Sequence, residues 1–344
     1  MSKTIEIDGS EGEGGGQVLR SSLALSMITG TPFRITSIRA RRKRPGLLRQ
    51  HLTAVRAATQ CCGASVRGDR LGSTELWFSP GAVVHGEHHF AVGTAGSTTL
   101  VLQTILWPLL HASGESIVEV EGGTHNPLAP PFDFFERVLA PHLQTMGCSV
   151  QLELVRPGFA PAGGGCMRMR VVGGTSLQPL RLLERGPIVR RRARAVVSNL
   201  SPKIAHRELN VVRKGWDLGK IDLEAVELPG PGPGNVLTLE AEFPSGREIF
   251  TGFGEKGVTA ERVAERALAE ALRWEALDVP VGEHLADQLL IPLALAGAGS
   301  FRTGEPSQHT RTHASIVQRF LATPVKMERE DDTHWRIEVG RTPA

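Results

Sequence analysis

The side chains best suited to chemistry gather between Gly282 and Phe320, in GEHLADQLLIPLALAGAGSFRTGEPSQHTRTHASIVQRF. An unperturbed histidine, with a pKa of about 6.5, is neutral and able to attack or ligate near physiological pH. His309 lies in a loop segment, Glu305 to Thr310, just ahead of an apolar pattern (Ile316, Val317, Phe320, Leu321) that reads as a helix. With Thr310 or Thr312 as N-cap, His309 is expected on a loop at the helix N-terminus, where free N–H groups favour anions. An imidazole in that position, facing carboxylates of a neighbouring helix, is a nucleophile or a metal ligand. His313 follows at i,i+4 and lies about one turn inside the helix. The two histidines could share a metal, but the spacing supplies no third ligand.

The carboxylates come from the preceding helix. Leu285, Leu289, Leu293 and Ala296 recur at helical spacing, and Glu283 and Asp287 share one face near its N-terminus. Pro292 should kink this helix or mark its weak point. The AGAGS run then stops it, and Phe301 to Thr303 reads as a short strand.

Two other stretches carry charge in the right context. GSEGEGGGQ sits between a strand (Thr4 to Asp8) and a helix, as a phosphate cradle does. It lacks the GK[ST] of a P-loop, and Gln17 stands where a dinucleotide fingerprint needs its last glycine. Glu11 and Glu13 would repel a bare phosphate but suit a magnesium or manganese ion bridging to one. Between Arg39 and Arg49, Arg39, Arg41, Arg42, Lys43, Arg44 and Arg49 fall within eleven residues around the Pro45-Gly46 bend. Several guanidinium groups there can converge on phosphate.

The totals exclude several classes. The 344 residues are 40% hydrophobic and 22% charged, with a net charge of +3, so bulk charge announces no nucleic acid. Cys61, Cys62, Cys148 and Cys166 form no CxxC motif and no paired framework, as expected in a reducing compartment. The N-terminus lacks a signal-peptide core, and the longest apolar run is far short of the ~20 residues of a membrane span. A cytoplasmic protein without a membrane is expected.

The elements that position these residues repeat. A strand, glycine-rich turn, helix, strand, loop, helix and two strands occupy about 4–80 and return over 89–173. The His309 region is a third copy (176–183 plus 281–341), with Ser176 to Leu183 supplying its first strand. The expected fold is α/β (α+β): three βαβαββ units in a pseudo-threefold main domain (1–183 and 281–344), with a smaller α/β domain, 184–280, inserted in the third. Within the insert, GPGPGN signals a hairpin or a loop. Equivalent loops lie at equivalent sheet ends, so the Glu13 turn, the arginine loop, NPLAPP and His309 are expected at one cleft.

GEGGGQVLRSSLALSMITG, IRARRKRPGLLRQHLTAV, GSTTLVLQT, GGTHNPLAPP, PAGGG, GEHLADQLLIPLALAGAGSF and the His309 loop together resemble the RNA 3′-terminal phosphate cyclase family, essentially end to end. The resemblance implies ATP as cosubstrate, a divalent metal (Mg or Mn) and RNA with a 3′-phosphate end as partner, with no obligate protein partner. It implies that His309 forms a covalent histidyl-AMP, and that AMP then passes to the RNA phosphate before the 2′-OH closes the ring. It places Gln103, Pro130, Glu283, His284, Asp287 and Gln288 around the adenylate, Glu13 at the metal, and Arg20, Arg39 and Arg42 toward RNA phosphates. His284 stands where the family often has Tyr, consistent with a chain that has no Tyr. Enolpyruvyl transferases share the repeated architecture but leave the His309 loop unexplained. Cyclase-like ribosomal-RNA processing factors lack the nucleophilic histidine.

Overall fold

The computed structural model describes residues 3–216 and 222–340. The chain-end boundaries expected at 1 and at 341–344 lie outside them. The first unit is β1 (Ile5–Asp8), α1 (Gly16–Thr29), β2 (Phe33–Thr36), α2 (Arg49–Cys62), β3 (Ser65–Arg67) and β4 (Leu76–Ser79). Its sheet order is β1-β2-β4-β3, with β1 parallel to β2 across the α1 crossover. Phe33, Ile35, Leu76 and Phe78 point inward, while Arg34 and Trp77 alternate outward. Gly30 ends α1 in the left-handed conformation, which a side chain would strain.

The second unit is β5 (Gly86–Ala91), α3 (Thr98–His111), β6 (Gly114–Gly122), a helical run, β7 (Ser149–Arg156) and β8 (Gly165–Gly173), in the order β5-β6-β8-β7. The run joins α4 (Phe132–Phe134), a π-helical turn (Phe135–Leu139) and α5 (Ala140–Thr145). β9 (Leu180–Leu182) then opens the third sheet.

A separate sheet follows before that third sheet is completed. It comprises β10 (Arg190–Ser198), α6 (Lys203–Gly215), β11 (Asp222–Glu227), β12 (Gly234–Phe243), β13 (Gly246–Phe253) and α7 (Ala260–Leu277), ordered β11-β10-β12-β13. GPGPGN joins β11 to β12, which lie on opposite sides of β10, so it is a crossing loop and not a hairpin. The chain returns through α8 (Glu283–Gln288), α9 (Leu290–Leu295), β14 (Ala298–Thr303), α10 (Gln308–Leu321), β15 (Val325–Arg329) and β16 (Trp335–Gly340). The resulting order is β9-β14-β16-β15, with β9 parallel to β14. Pro292 has no N–H for the carbonyl of Gln288, and there the helix divides into α8 and α9.

Burial explains why the three similar sheets cohere. One apolar cluster takes Phe33, Val120 and Phe301, one from each sheet, all without solvent exposure. α3 is buried along its length from Thr98 to Leu110, which suits a helix apolar on every side. α1 packs against α2, α3 and α10. A second cluster (Ala193, Leu237, Trp216, Trp274) belongs to the β10–β13 sheet and its two helices. Arg137–Glu240 at 2.8 Å and Arg194–Asp133 at 3.7 Å tie that sheet to the second unit. No helix among the described residues is long and apolar enough to cross a membrane.

The second core contains one ionisable liability. Glu208 is fully buried, accepts from Asn235 Nδ2 at 2.9 Å through Oε2, and has no partner for Oε1. Burial pushes its carboxyl up to about 7. The folded pKa lies above the unfolded one, so Glu208 leaves stability intact below about 4.3 and removes it as pH rises through 7. Glu208→Gln should raise the unfolding free energy at pH 8, by roughly 3 kcal/mol at most, and flatten its fall between pH 5 and 8. Calorimetry showing the wild-type pH slope in the variant would contradict this.

Candidate active site

Helix α10 begins earlier than the sequence pattern suggests. Ser307 is its N-cap, with Oγ accepting from the Thr310 N–H at 3.3 Å, so neither Thr310 nor Thr312 caps it. His309 therefore stands in the first helical turn, and not on a loop ahead of it. The N–H groups of Gln308 and His309 still lack intrahelical acceptors, so the end remains suited to anions. Thr312 Oγ1 donates to the Gln308 carbonyl at 2.6 Å and accepts from the Glu13 N–H at 3.1 Å, joining helix and glycine turn.

A chain of amides decides which nitrogen of His309 is free. The buried Asp287 carboxylate can only accept, so Gln17 must offer it Nε2–H, at 2.6 Å to Oδ2. Gln17 Oε1 is thereby turned to His309 Nδ1, 3.0 Å away. Nδ1 must carry the proton, and the lone pair is on Nε2. Partial burial holds the His309 imidazole below its ordinary pKa; Arg20 and Arg42 push the same way while Asp287 opposes them. The ring is neutral at physiological pH, half-exposed, and has Nε2 3.7 Å from Glu13 Oε1.

The same carboxylate reaches the second unit. Gln288 Nε2 donates to Asp287 Oδ1 at 2.9 Å, and Gln288 Oε1 accepts from Gln103 Nε2 on α3. His309, Gln17, Asp287, Gln288 and Gln103 thus form one hydrogen-bonded line across three units. His313 is buried, with Nδ1 2.8 Å from the Asp287 carbonyl, which requires the proton on Nδ1. It holds the Asp287 backbone in place.

The glycine turn brings Glu13 to the site and sends Glu11 away. Gly12 and Gly14 adopt positive φ (58° and 62°), and a Cβ on Gly12 would lie 2.2 Å from Thr312 Oγ1. Glu11 pairs with Arg319 on α10. Glu13 pairs through Oε1 with Arg42, while its Oε2 is buried without a partner. Among the described residues no group of three or more His, Cys, Asp or Glu is arranged to hold a metal. One carboxylate with an orphaned oxygen nevertheless fits a magnesium-type ion that arrives with phosphates and keeps most of its waters.

The arginines divide. Arg39, at φ 55°, donates to the carbonyls of Arg44 at 2.6 Å and Gly46 at 3.0 Å, so it braces its own loop. Arg20 lies beside Gly16 and His51, and burial lowers it to about 10. His51, with Nδ1 accepting from the Leu48 N–H at 3.2 Å, is driven down to about 3 by burial and by Arg20 and Arg39. It is an acceptor fixed in neutral form.

The remaining expected residues border this centre. The Pro130 carbonyl accepts from Thr99 Oγ1 at 2.7 Å, which fixes NPLAPP above the start of α3. Glu283 and His284 are exposed in the first turn of α8, so Glu283 shares a helix face with Asp287 but not its burial. His284 Nε2 lies 3.6 Å from Glu270, which raises its pKa with help from Glu248 and Glu283. Gln17, His51 and Ser307 escape a reading of local pattern, and Thr312, expected as a cap, instead joins α10 to the glycine turn. Only for Gln17 was there a signal, a polar side chain where a glycine fingerprint fails.

A model of the RNA 3′-terminal phosphate cyclase family matches residues 11–327. The chain is 48% identical to the RNA 3′-terminal phosphate cyclase of Ectopseudomonas mendocina over 97% of its length and 98% of that protein. It is 49% identical to that of Salmonella typhimurium, covering 96% of each. Among solved structures, the enolpyruvyl transferase NikO of Streptomyces tendae superposes at a TM-score of 0.38 and 10% identity, over 98% of this chain and 48% of that one.

The amide chain makes a spectroscopic prediction. Nitrogen-15 spectra of the histidines should show His309 with its proton on Nδ1 near neutral pH and a midpoint below 6.5. Gln17→Leu should lose that tautomer preference. A wild-type His309 protonated on Nε2 would contradict the arrangement.

Proposed function

The chain belongs to the RNA 3′-terminal phosphate cyclase family, enzymes of the ligase type, and on that premise we propose that it uses ATP to convert an RNA 3′-phosphate into a 2′,3′-cyclic phosphate. The observation that carries this reading is the neutral imidazole of His309, its Nε2 free because Gln17 and Asp287 keep the proton on Nδ1. Nε2 attacks the α-phosphorus of ATP; the Nε2–P bond forms as the bond to the leaving diphosphate breaks. The RNA 3′-phosphate then attacks the same phosphorus and releases His309, and the vicinal 2′-OH displaces AMP. A phosphate monoester has no good leaving group, and an anhydride with AMP provides one, so the covalent route divides one hard step into easier ones.

The other residues follow from their positions. Gln103, Asp287 and Gln288 form a rigid polar wall for the nucleotide, and Pro130, Glu283 and His284 border the base. His284, cationic beside Glu270, can lie against an adenine face in the place of the usual aromatic ring. Glu13 is the residue that would hold a divalent ion, whose chemistry is to neutralise triphosphate charge. Arg20 and Arg42 face the RNA phosphate, and Arg39 holds their loop in shape. We assign these groups to a main body, 1–183 and 281–344, with 184–280 as an inserted α/β domain that contributes Glu248 and Glu270 beside His284. The four buried free cysteines accord with a reducing cytoplasm.

The test is an adduct. Incubation with ATP and magnesium should add one AMP to His309, linked as an acid-labile phosphoramidate. His309→Ala and His309→Asn should abolish it, and His313→Ala should leave most of it. His309→Asn should still cyclise RNA supplied with an adenylated 3′-phosphate. Because burial lowers the His309 pKa, adenylation should persist as pH falls through 6.5 and decline only below it. Peptide mapping that placed AMP on another residue would overturn the assignment.

A further inference from the structure

We infer that the outer face of the first sheet binds the single-stranded body of an RNA, with a base against Trp77 between Arg34 and Arg67; this rests on RNA being the substrate. Strand register sets Glu6, Arg34, Trp77 and Arg67 in one row across β1, β2, β4 and β3. Their alternate neighbours Phe33, Ile35, Leu76 and Phe78 are buried, so the row faces outward. The Arg67 guanidinium lies 5.4 Å from the Trp77 ring centroid, and Arg34 stands on the opposite strand, paired with Glu75 at 2.9 Å. The turn after β3 rises beside the row and completes a cleft of about 640 Å³, with Arg70 and the 54% exposed Leu71 on its wall.

An indole flanked by guanidinium groups on a sheet surface offers a stacking face together with charges for the adjoining phosphates. Stacking of this kind tolerates any base, because every base has a π face. Backbone bonds join the wall of this cleft to the arginine loop. Ile38 N–H donates to the Thr74 carbonyl at 2.9 Å, Leu47 N–H to Ser73 at 3.0 Å, and Gly72 N–H to Leu47 at 2.8 Å. The turn and the arginine loop are therefore one body, and Arg42 of that loop meets Glu13 beside His309. No carboxylate occurs from Arg34 to Arg49, and Arg41, Lys43 and Arg44 are exposed along the route. The acidic neighbours include Glu6, Asp8 near Arg41, Asp69 and Glu75, the last held by Arg34. An acidic protein would find the same cations but would leave the indole unused, so RNA is the occupant.

The experiment is fluorescence anisotropy with an end-labelled, unstructured RNA of about 20 nucleotides, long enough to span site and cleft. Trp77→Ala should weaken binding about tenfold, Arg67→Ala less, and Trp77→Phe should retain most of the affinity. Adenylation of His309, and the KM for a dinucleotide 3′-phosphate, should stay at wild-type values in all three. Unchanged affinity of Trp77→Ala for the long RNA would overturn the proposal, as would an equal KM change for long and short substrates. Failure of the wild-type protein to adenylate or cyclise would instead overturn the catalytic reading, and the anisotropy series would still decide the cleft.

Discussion

The candidate active site depends on one buried carboxylate. Asp287 sits at the end of α8 with 9% of its surface exposed, where an unpaired charge would be costly. It is offset by the amide donors of Gln17 and Gln288, with Arg20 contributing from nearby. Each amide then has its other end committed, one to His309 and one to Gln103. A single acceptor thereby orients side chains from three units and selects the tautomer of the histidine. The repeated fold has a chemical purpose in this picture, because it brings helix ends 270 and 292 residues apart in sequence into hydrogen-bonding range.

Rigidity around this line comes from packing. α1, which carries Gln17 and Arg20, is wedged among α2, α3 and α10, and α3, which carries Gln103, is buried on all sides. His313 holds the backbone of Asp287 from below, and Ser307 and Thr312 set the start of α10 against the glycine turn. A site built on helix ends beside a close-packed core has its polar groups held by rigid elements. The bordering loops are held as well, the arginine loop by the Arg39 brace and its backbone bonds to the 72–74 turn, and NPLAPP by the Thr99–Pro130 contact.

Much of this was legible in the chain. The period of four around Leu285 gave α8 and α9, Pro292 marked their division, and the order of strand and helix signals recurred three times. His309, Asp287 and Glu13 stood out by residue type beside turns. What local pattern does not carry is which residues face each other across long separations. Glu283 and Asp287 share helical spacing, yet one is exposed and the other buried, because Glu283 opens α8 in a first turn that faces solvent while Asp287 lies one turn further into the core. Arg39 stood out by charge alone, and its part in bracing its own loop through Nη1 shows only in the folded chain. Gln17 looked like a failed glycine motif, and its role exists only once α1, α8 and α10 are packed.

The most direct test of the Asp287 account is the single-turnover rate of self-adenylation by Asp287→Asn with saturating labelled ATP. An asparagine keeps the size of the side chain but no longer obliges Gln17 to donate, so the amide chain can reverse and the proton can move to Nε2. The predicted result is a rate lower by about 100-fold with the thermal midpoint largely kept, the scale expected when a reacting group is misplaced. A wild-type rate in that variant would show that the nucleophile is oriented by something other than Asp287.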